Sequence, residues 1–436
     1  MKNKPLAIDL FCGAGGMSEG ILQAGFHIIF SNDISKDAMK TYINRHEQLG
    51  LIHKKNTFAT CKDIKELDSE QIFKSISEIE VFKNKNVVID AIFGGPPCQG
   101  FSRAGKRNAD DPRNQLFKEY IRVVNEIRPN YVVMENVEGF LDTVFEGFIG
   151  IDGEEYKKDK VPNILMNEFK KIGYNVMEPK LLNASDYGVP QTRKRMIFIA
   201  YLPNVSKPTY PEKKKDKKIT LEEAIYDLID STKISKFAKE CIVGRTKTLD
   251  GSTIKYDGDI KLNNEVSIHT KLIRDRFALY REGETTADLR KRVINEGIDL
   301  SDKESILRDL EQKYNISTNE IIKKFKKKNL KEEDLTNLLT KKGIRKKLNS
   351  KKPAPTMVTL PDDFIHPIQN RILTVREMAR IQSFDDSFEF LGKRTTGGPR
   401  RKMEVPQYTQ VGNAVPPLLA KAIAEQIIKA INETKK

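Results

Sequence analysis

Five short apolar runs punctuate the first two hundred residues: "LAIDLF" (6–11), "HIIFSND" (27–33), "VVIDAIFGG" (87–95), "YVVMENV" (131–137) and "MIFIAYL" (196–202). Runs of this length, rich in β-branched and apolar residues, read as buried strands. Between them, "MSEGILQAGF", "KDAMKTYINRH" and "QLFKEYIRVVNEIRP" repeat apolar residues at the spacing of one helix face. That alternation predicts βαβ units, hence a mostly parallel sheet with helices on both faces, an α/β fold. In such sheets ligands sit beyond the carboxyl ends of the strands. Three conspicuous turns fall there, at residues 12–16, 95–98 and 135–136.

The alternation stops near residue 203, where "LPNVSKPTYPEKKKDKK" brings the prolines and lysine run of a linker or domain edge. The stretch that follows is Lys-rich, with "KKFKKK" (323–328) and "KKGIRKKLNSKK" (341–352), and reads as a separate domain. Apolar order returns in "FIHPIQNRILTVREMARIQSF" (364–384). The helical pattern of "VPPLLAKAIAEQIIKAI" (415–431), opened by Pro416 and Pro417, suits packing back on the sheet. The expected division is 1–202 for the first part of the sheet domain, 203–363 for a second, smaller domain, and 364–436 for the segment that closes the first.

With 76 Lys and Arg against 61 Asp and Glu, the chain carries a net charge of +15, which suits a polyanionic partner such as nucleic acid. Cys12, Cys61, Cys98 and Cys241 form no CxxC pair, and the histidines show no ligand spacing with them, so no metal site is expected. Asp9 interrupts the apolar N-terminal run, and no stretch approaches the ~18 to 20 apolar residues of a membrane span. A cytoplasmic protein that does not bind membranes is the expectation.

"DLFCGAGGMSEG" (9–20) reads as strand, glycine-rich turn and helix, and Asp33 closes the next strand where a nucleotide-binding unit places a carboxylate on ribose hydroxyls. That pair fits a dinucleotide or S-adenosylmethionine equally. "GGPPCQGFS" (94–102) sets Cys98 at the tip of a turn stiffened by two prolines, as a nucleophilic thiol with a fixed direction of attack requires. Glu135 ends another strand and offers a carboxyl group that could share a proton with a ring nitrogen. In "QTRKRMIFIA" (191–200), strand alternation would aim Arg193 and Arg195 the same way, and two cations beside a thiol favour the thiolate.

In their order along the chain, "DLFCGAGG", the acid at 33, "GGPPCQGFS", "ENV", "QTRKR", "RILTVREMARIQSF" and "QVGNAVPP" resemble the DNA (cytosine-5)-methyltransferase family, over residues 5–202 and 364–424. The resemblance implies a Rossmann-like methyltransferase fold with a target-recognition domain at 203–363, S-adenosyl-L-methionine as cofactor, and double-stranded DNA as substrate. It implies that Cys98 attacks carbon 6 of a flipped cytosine, that Glu135 serves the proton at nitrogen 3, and that Arg193 and Arg195 orient the base. Phe11, Gly13, Gly15, Asp33, Asp63, Asn413 and Val415 would bind the cofactor. DNA contacts would come from Gln99, Ser102, Arg103 and Lys106 in the loop after the nucleophile, and from Arg274, Arg276 and Thr356 further on. The expected role is that of a monomeric modification enzyme of a restriction–modification system, with a cognate endonuclease acting on the same short sequence. The alternatives are a tRNA cytosine-5 methyltransferase and an inactive DNA-binding relative. The long basic insertion favours DNA over RNA, and retention of Cys98, Glu135 and Arg195 argues against an inactive chain.

Overall fold

Strands buried on both faces need cover on both, and the computed structural model shows how this chain provides it. It describes residues 4–97, 116–256, 258, 262–339, 344–396, 400 and 403–436. The strands β1 (Leu6–Leu10), β2 (His27–Asn32), β3 (Phe58–Thr60), β4 (Ala91–Gly94) and β5 (Tyr131–Val137) run parallel, in the order β3-β2-β1-β4-β5. A hairpin of β6 (Val144–Ile149) and β7 (Glu155–Lys160) stands apart from this sheet. Further on, β8 (Asn175–Val176), β9 (Lys180–Asn183), the two-residue β10 (Gln191–Thr192) and β11 (Lys194–Tyr201) follow. Of these, β11 joins the sheet antiparallel to β5, with β8 and β9 on its outer side.

Alternate residues of the strands feed two cores. Ile8, Ile92, Val132 and Met134 face Phe117, Ile121 and Val124 of the helix Leu116–Ile127. Ala7, Phe93, Val133 and Ile197 face the other way, toward α1 (Gly16–Ala24) and the closing helix Pro417–Thr434. These two helices touch backbone to backbone: a methyl group on Gly20 would lie 2.5 Å from the Pro417 carbonyl oxygen, and one on Gly16 would lie 2.5 Å from that of Val415. Nothing larger than hydrogen fits there. The chain's last helix thus packs against α1 and the face of the sheet that α1 covers.

The middle of the chain falls into two packing groups. Leu221, Ile225, Phe237 and Cys241 share a core with Val375, Met378 and Ile381 of the closing segment. Phe277, Leu289, Val293, Leu310, Phe325 and Leu335, from five helices between Lys271 and Leu338, form a separate core, joined by Ile365 and Ile372. Two short parallel pairings tie this part of the chain down: β12 (Lys346–Lys347) with β14 (Phe364–Ile365), and β13 (Ala354–Pro355) with β10.

Candidate active site

At the carboxyl end of β1 the chain turns through three left-handed residues, Phe11 (φ +56°), Gly13 (φ +55°) and Gly15 (φ +100°). For Phe11 that conformation carries strain, which persists only where the surroundings impose it. Asp33, at the end of β2, accepts hydrogen bonds from the Gly13 amide (2.9 Å) and the Ser35 amide (2.7 Å), and burial raises its pKa. The side of Gly13 where a side chain would stand is open, with no atom within 4 Å. Asn32 donates to the Lys62 carbonyl at 2.9 Å and so holds the next loop beside β2. There Asp63 accepts from the Lys65 amide at 3.1 Å. Val415 reaches the same turn through its contact with Gly16, while Asn413, two residues earlier, is exposed.

Beneath the turn, Asp9 is buried, accepts from the Ser18 hydroxyl, and has no hydrogen-bond partner for Oδ1 among the described residues. Burial pushes its pKa up to about 7. Ile34, 67% exposed beside Asp33, is a residue that motif reading passes over. Its signal was an apolar side chain directly after an acidic strand end. An open glycine cradle, a carboxylate for ribose hydroxyls and an apolar surface for a purine ring fit S-adenosylmethionine.

A diagonal pair bridges the antiparallel strands β5 and β11. Glu135 on β5 stands opposite Ile197, and Arg195, two residues away on β11, reaches across so that its Nε lies 2.6 Å from Glu135 Oε1. Both side chains are 12% exposed, enough to meet a ligand without being bathed in solvent. Gly95 makes room for this carboxylate, since a methyl group there would sit 3.2 Å from Glu135 Oε2. Next to it Asn136 donates to the Pro96 carbonyl at 3.1 Å, fastening the proline turn to β5. Arg195 also lines an open cleft of about 420 Å³ with Val137, Glu138, Thr192, Lys194 and Thr356.

Arg193 does not accompany Arg195. Residue 193 falls between β10 and β11, its carbonyl accepting from the Ala184 amide at 2.8 Å. Arg193 is instead buried and donates to the carbonyls of Met357 and Gly412, each at 3.0 Å. Burial, and then the charge of Arg195, push its pKa down. Gln191 works alongside it, accepting from the Met357 amide (2.7 Å) and donating to Gln382 (2.8 Å). The two residues fasten three distant segments together, which makes Arg193 a positioning residue.

Among the residues expected at DNA, Thr356 lines the cleft and donates to the Thr192 carbonyl at 3.0 Å, and Arg274 is exposed. Arg276 is a correction. Its guanidinium bonds Asp309 (2.8 Å) and the Leu338 carbonyl (3.0 Å) inside the helical group, which leaves it engaged within the protein. Cys98, Gln99, Ser102, Arg103 and Lys106 lie outside the described residues.

A family model described as C-5 cytosine-specific DNA methylase matches residues 6–429. The chain is 35% identical to the type II methyltransferase M.DdeI of Desulfomicrobium norvegicum, over 96% of this chain and 88% of that one. It is 31% identical to the type II methyltransferase M1.HphI of Haemophilus parahaemolyticus, over 97% and 86% of the respective chains. The crystal structure of a protein encoded within an E. coli prophage superposes with a TM-score of 0.63 at 23% identity, covering 98% of this chain and all of that one. Among the described residues no helix is long and apolar enough to cross a membrane.

Proposed function

The chain belongs to the C-5 cytosine-specific DNA methylase family, and from that premise we propose how its residues divide the work. The protein is an S-adenosylmethionine-dependent DNA (cytosine-5-)-methyltransferase. When bound, S-adenosylmethionine supplies an electrophilic methyl group. Carbon 5 of cytosine is a poor nucleophile, and addition of the Cys98 thiolate to carbon 6 makes it electron-rich enough to take that methyl. Glu135 holds a proton at ring nitrogen 3 while charge builds there, and Arg195 fixes the Glu135 carboxyl group and the base beside it. Loss of the carbon 5 proton then expels Cys98 and restores the aromatic ring. Because carbon 6 is inaccessible within a duplex, the cytosine leaves the stack and enters the cleft.

Phe11, Gly13, Gly15, Asp33, Asp63, Asn413 and Val415 hold the cofactor, with Ile34 added to the set. The observation that carries the assignment is the Glu135–Arg195 pair, 2.6 Å apart and pressed against the turn that leads to Cys98. DNA is met by Thr356 and Arg274, and by Gln99, Ser102, Arg103 and Lys106. Target recognition centres on the helical group and its flanking loops. Residues 221–241 belong with the catalytic part, on whose core they pack. The enzyme acts as a cytoplasmic monomer on a short duplex sequence, protecting it from a cognate endonuclease, a role supported by its type II relatives.

Bisulfite sequencing of plasmid DNA from cells expressing the wild type and Cys98→Ser tests this directly. Protected cytosines in one short motif, absent with the variant, are expected. Protection that survives the substitution, or no protection by the wild type, would sink the assignment.

A further inference from the structure

The lysine run after β11 has no part in the site above, yet the structure holds it close by. All of residues 212–218 are exposed, and five of them are lysines: Lys213, Lys214, Lys215, Lys217 and Lys218. Lys218 and Lys213 share one carboxylate, with their Nζ atoms 3.1 Å and 3.5 Å from Asp186. The backbone is tied at the same point, where the Lys214 amide donates to the Asp186 carbonyl at 2.9 Å. Lys214, Lys215 and Lys217 form no ion pair among the described residues. With Asp186, Glu212 and Asp216 as the neighbouring acids, the run keeps a surplus of positive charge. Fixing like charges side by side is unfavourable in water and becomes favourable when a polyanion lies across them.

The anchor also sets where the charge stands. Asp186 belongs to the turn that leads into β10, and Lys214 Nζ lies 3.3 Å from where a methyl group on Gly188 would be. Thr192, four residues on, lines the cleft with Arg195 and Thr356, so Gly188 is no more than about 14 Å from the cleft wall. Beyond the run, the Leu221 amide donates to the Lys352 carbonyl, which brings Lys351 and Lys352 alongside just before β13, the partner of β10. A duplex with its target base in the cleft continues past this rim, and about 14 Å corresponds to roughly four base pairs at ~3.4 Å each.

We propose that the lysine run 213–218 is a phosphate track for duplex DNA flanking the recognised sequence, so that binding depends on DNA outside that sequence. The inference rests on the DNA-methylating reading above. It adds a contact surface away from the reacting base.

The test compares the wild type with the triple variant Lys214→Gln, Lys215→Gln, Lys217→Gln. This variant spares the two lysines that hold the loop to Asp186. Kd is measured for a hairpin-capped duplex that ends at the edges of the methylated motif and for a duplex of about 34 base pairs with that motif at its centre, across a salt series. The wild type should bind the longer duplex more tightly and with a steeper salt dependence. In the variant the slope of log affinity against log salt for the longer duplex should be shallower by about 2 to 3, at ~0.9 per phosphate, with the short duplex bound and methylated as before. Undiminished binding of the longer duplex by the variant, or an equal loss on both lengths, would overturn the track. Failure of the wild type to methylate either duplex would instead overturn the reading on which it rests.

Discussion

The proposed cofactor end, on β1 and β2, and the proposed base end, on β5 and β11, lie on opposite sides of β4 and are built differently. At the cofactor end the contacts are mostly made by backbone: amides of Gly13 and Ser35 on Asp33, and a helix pressed so close that Gly16 and Gly20 admit no side chain. At the proposed base end the working contact joins two side chains, Glu135 and Arg195, with Gly95 making room for the carboxylate and Asn136 of β5 fastening the proline turn beside it. The first arrangement is fixed by packing and should fail by misfolding or weak cofactor binding. The second is fixed by charge and should fail in the chemical step while the fold persists.

Substitutions can separate the two. The largest effect is expected from Glu135→Gln, which leaves an amide unable to shuttle the proton: the single-turnover methylation rate should fall by about 10² to 10⁴, with cofactor affinity unchanged by calorimetry. Weakened cofactor binding in that variant would show that the two ends are one unit. Next, Gly20→Ala should cost about 3 kcal/mol in denaturant unfolding, because the added methyl meets the Pro417 carbonyl and helix α1 must shift. An undiminished midpoint would mean that the helix contact is loose.

Asp33→Asn should raise the cofactor Kd by about 10- to 100-fold, through loss of a charged acceptor for ribose hydroxyls and the Gly13 amide. The rate at saturating cofactor should stay near that of the wild type. The smallest effect concerns Asp9, whose pKa of about 7, against 3.8 for a free carboxyl, means that the folded chain holds a proton the unfolded chain has lost. Its contribution to stability therefore falls as pH rises from about 4 to 7 and is gone above that. Relative to the wild type, Asp9→Asn should gain about 1 kcal/mol between pH 6 and 8 in urea unfolding. A parallel pH dependence in the two proteins would remove Asp9 from the account.

What was legible in the sequence follows the same division. Glycine turns, acids near strand ends and apolar runs are local signals: Asp33 directly follows β2, Glu135 lies two residues short of the end of β5, and of the run 87–95 the strand keeps Ala91–Gly94. Arg193 is hidden from sequence reading because its partners, the carbonyls of Met357 and Gly412, lie more than 160 residues on. Arg276 is expected at DNA from the family resemblance alone. Its partners Asp309 and Leu338 lie more than thirty residues on, so only the packed group of helices reveals that it faces inward. The same distance hid the packing of residues 221–241 against the closing segment, where Leu221 and Val375 share a core.

The embrace of Gly16 and Gly20 by the segment that begins at Val415 also sets a timetable. Pro417 is translated almost 400 residues after Gly20, which at ribosomal speeds of ~5 to 20 residues per second is roughly 20 to 80 seconds later. Until then the glycine turn lacks the helix that backs it, and a nascent chain carries the proposed cofactor cradle unfinished. Methylation competence thus arrives late in synthesis, so that prematurely terminated chains lacking that helix cannot mark DNA.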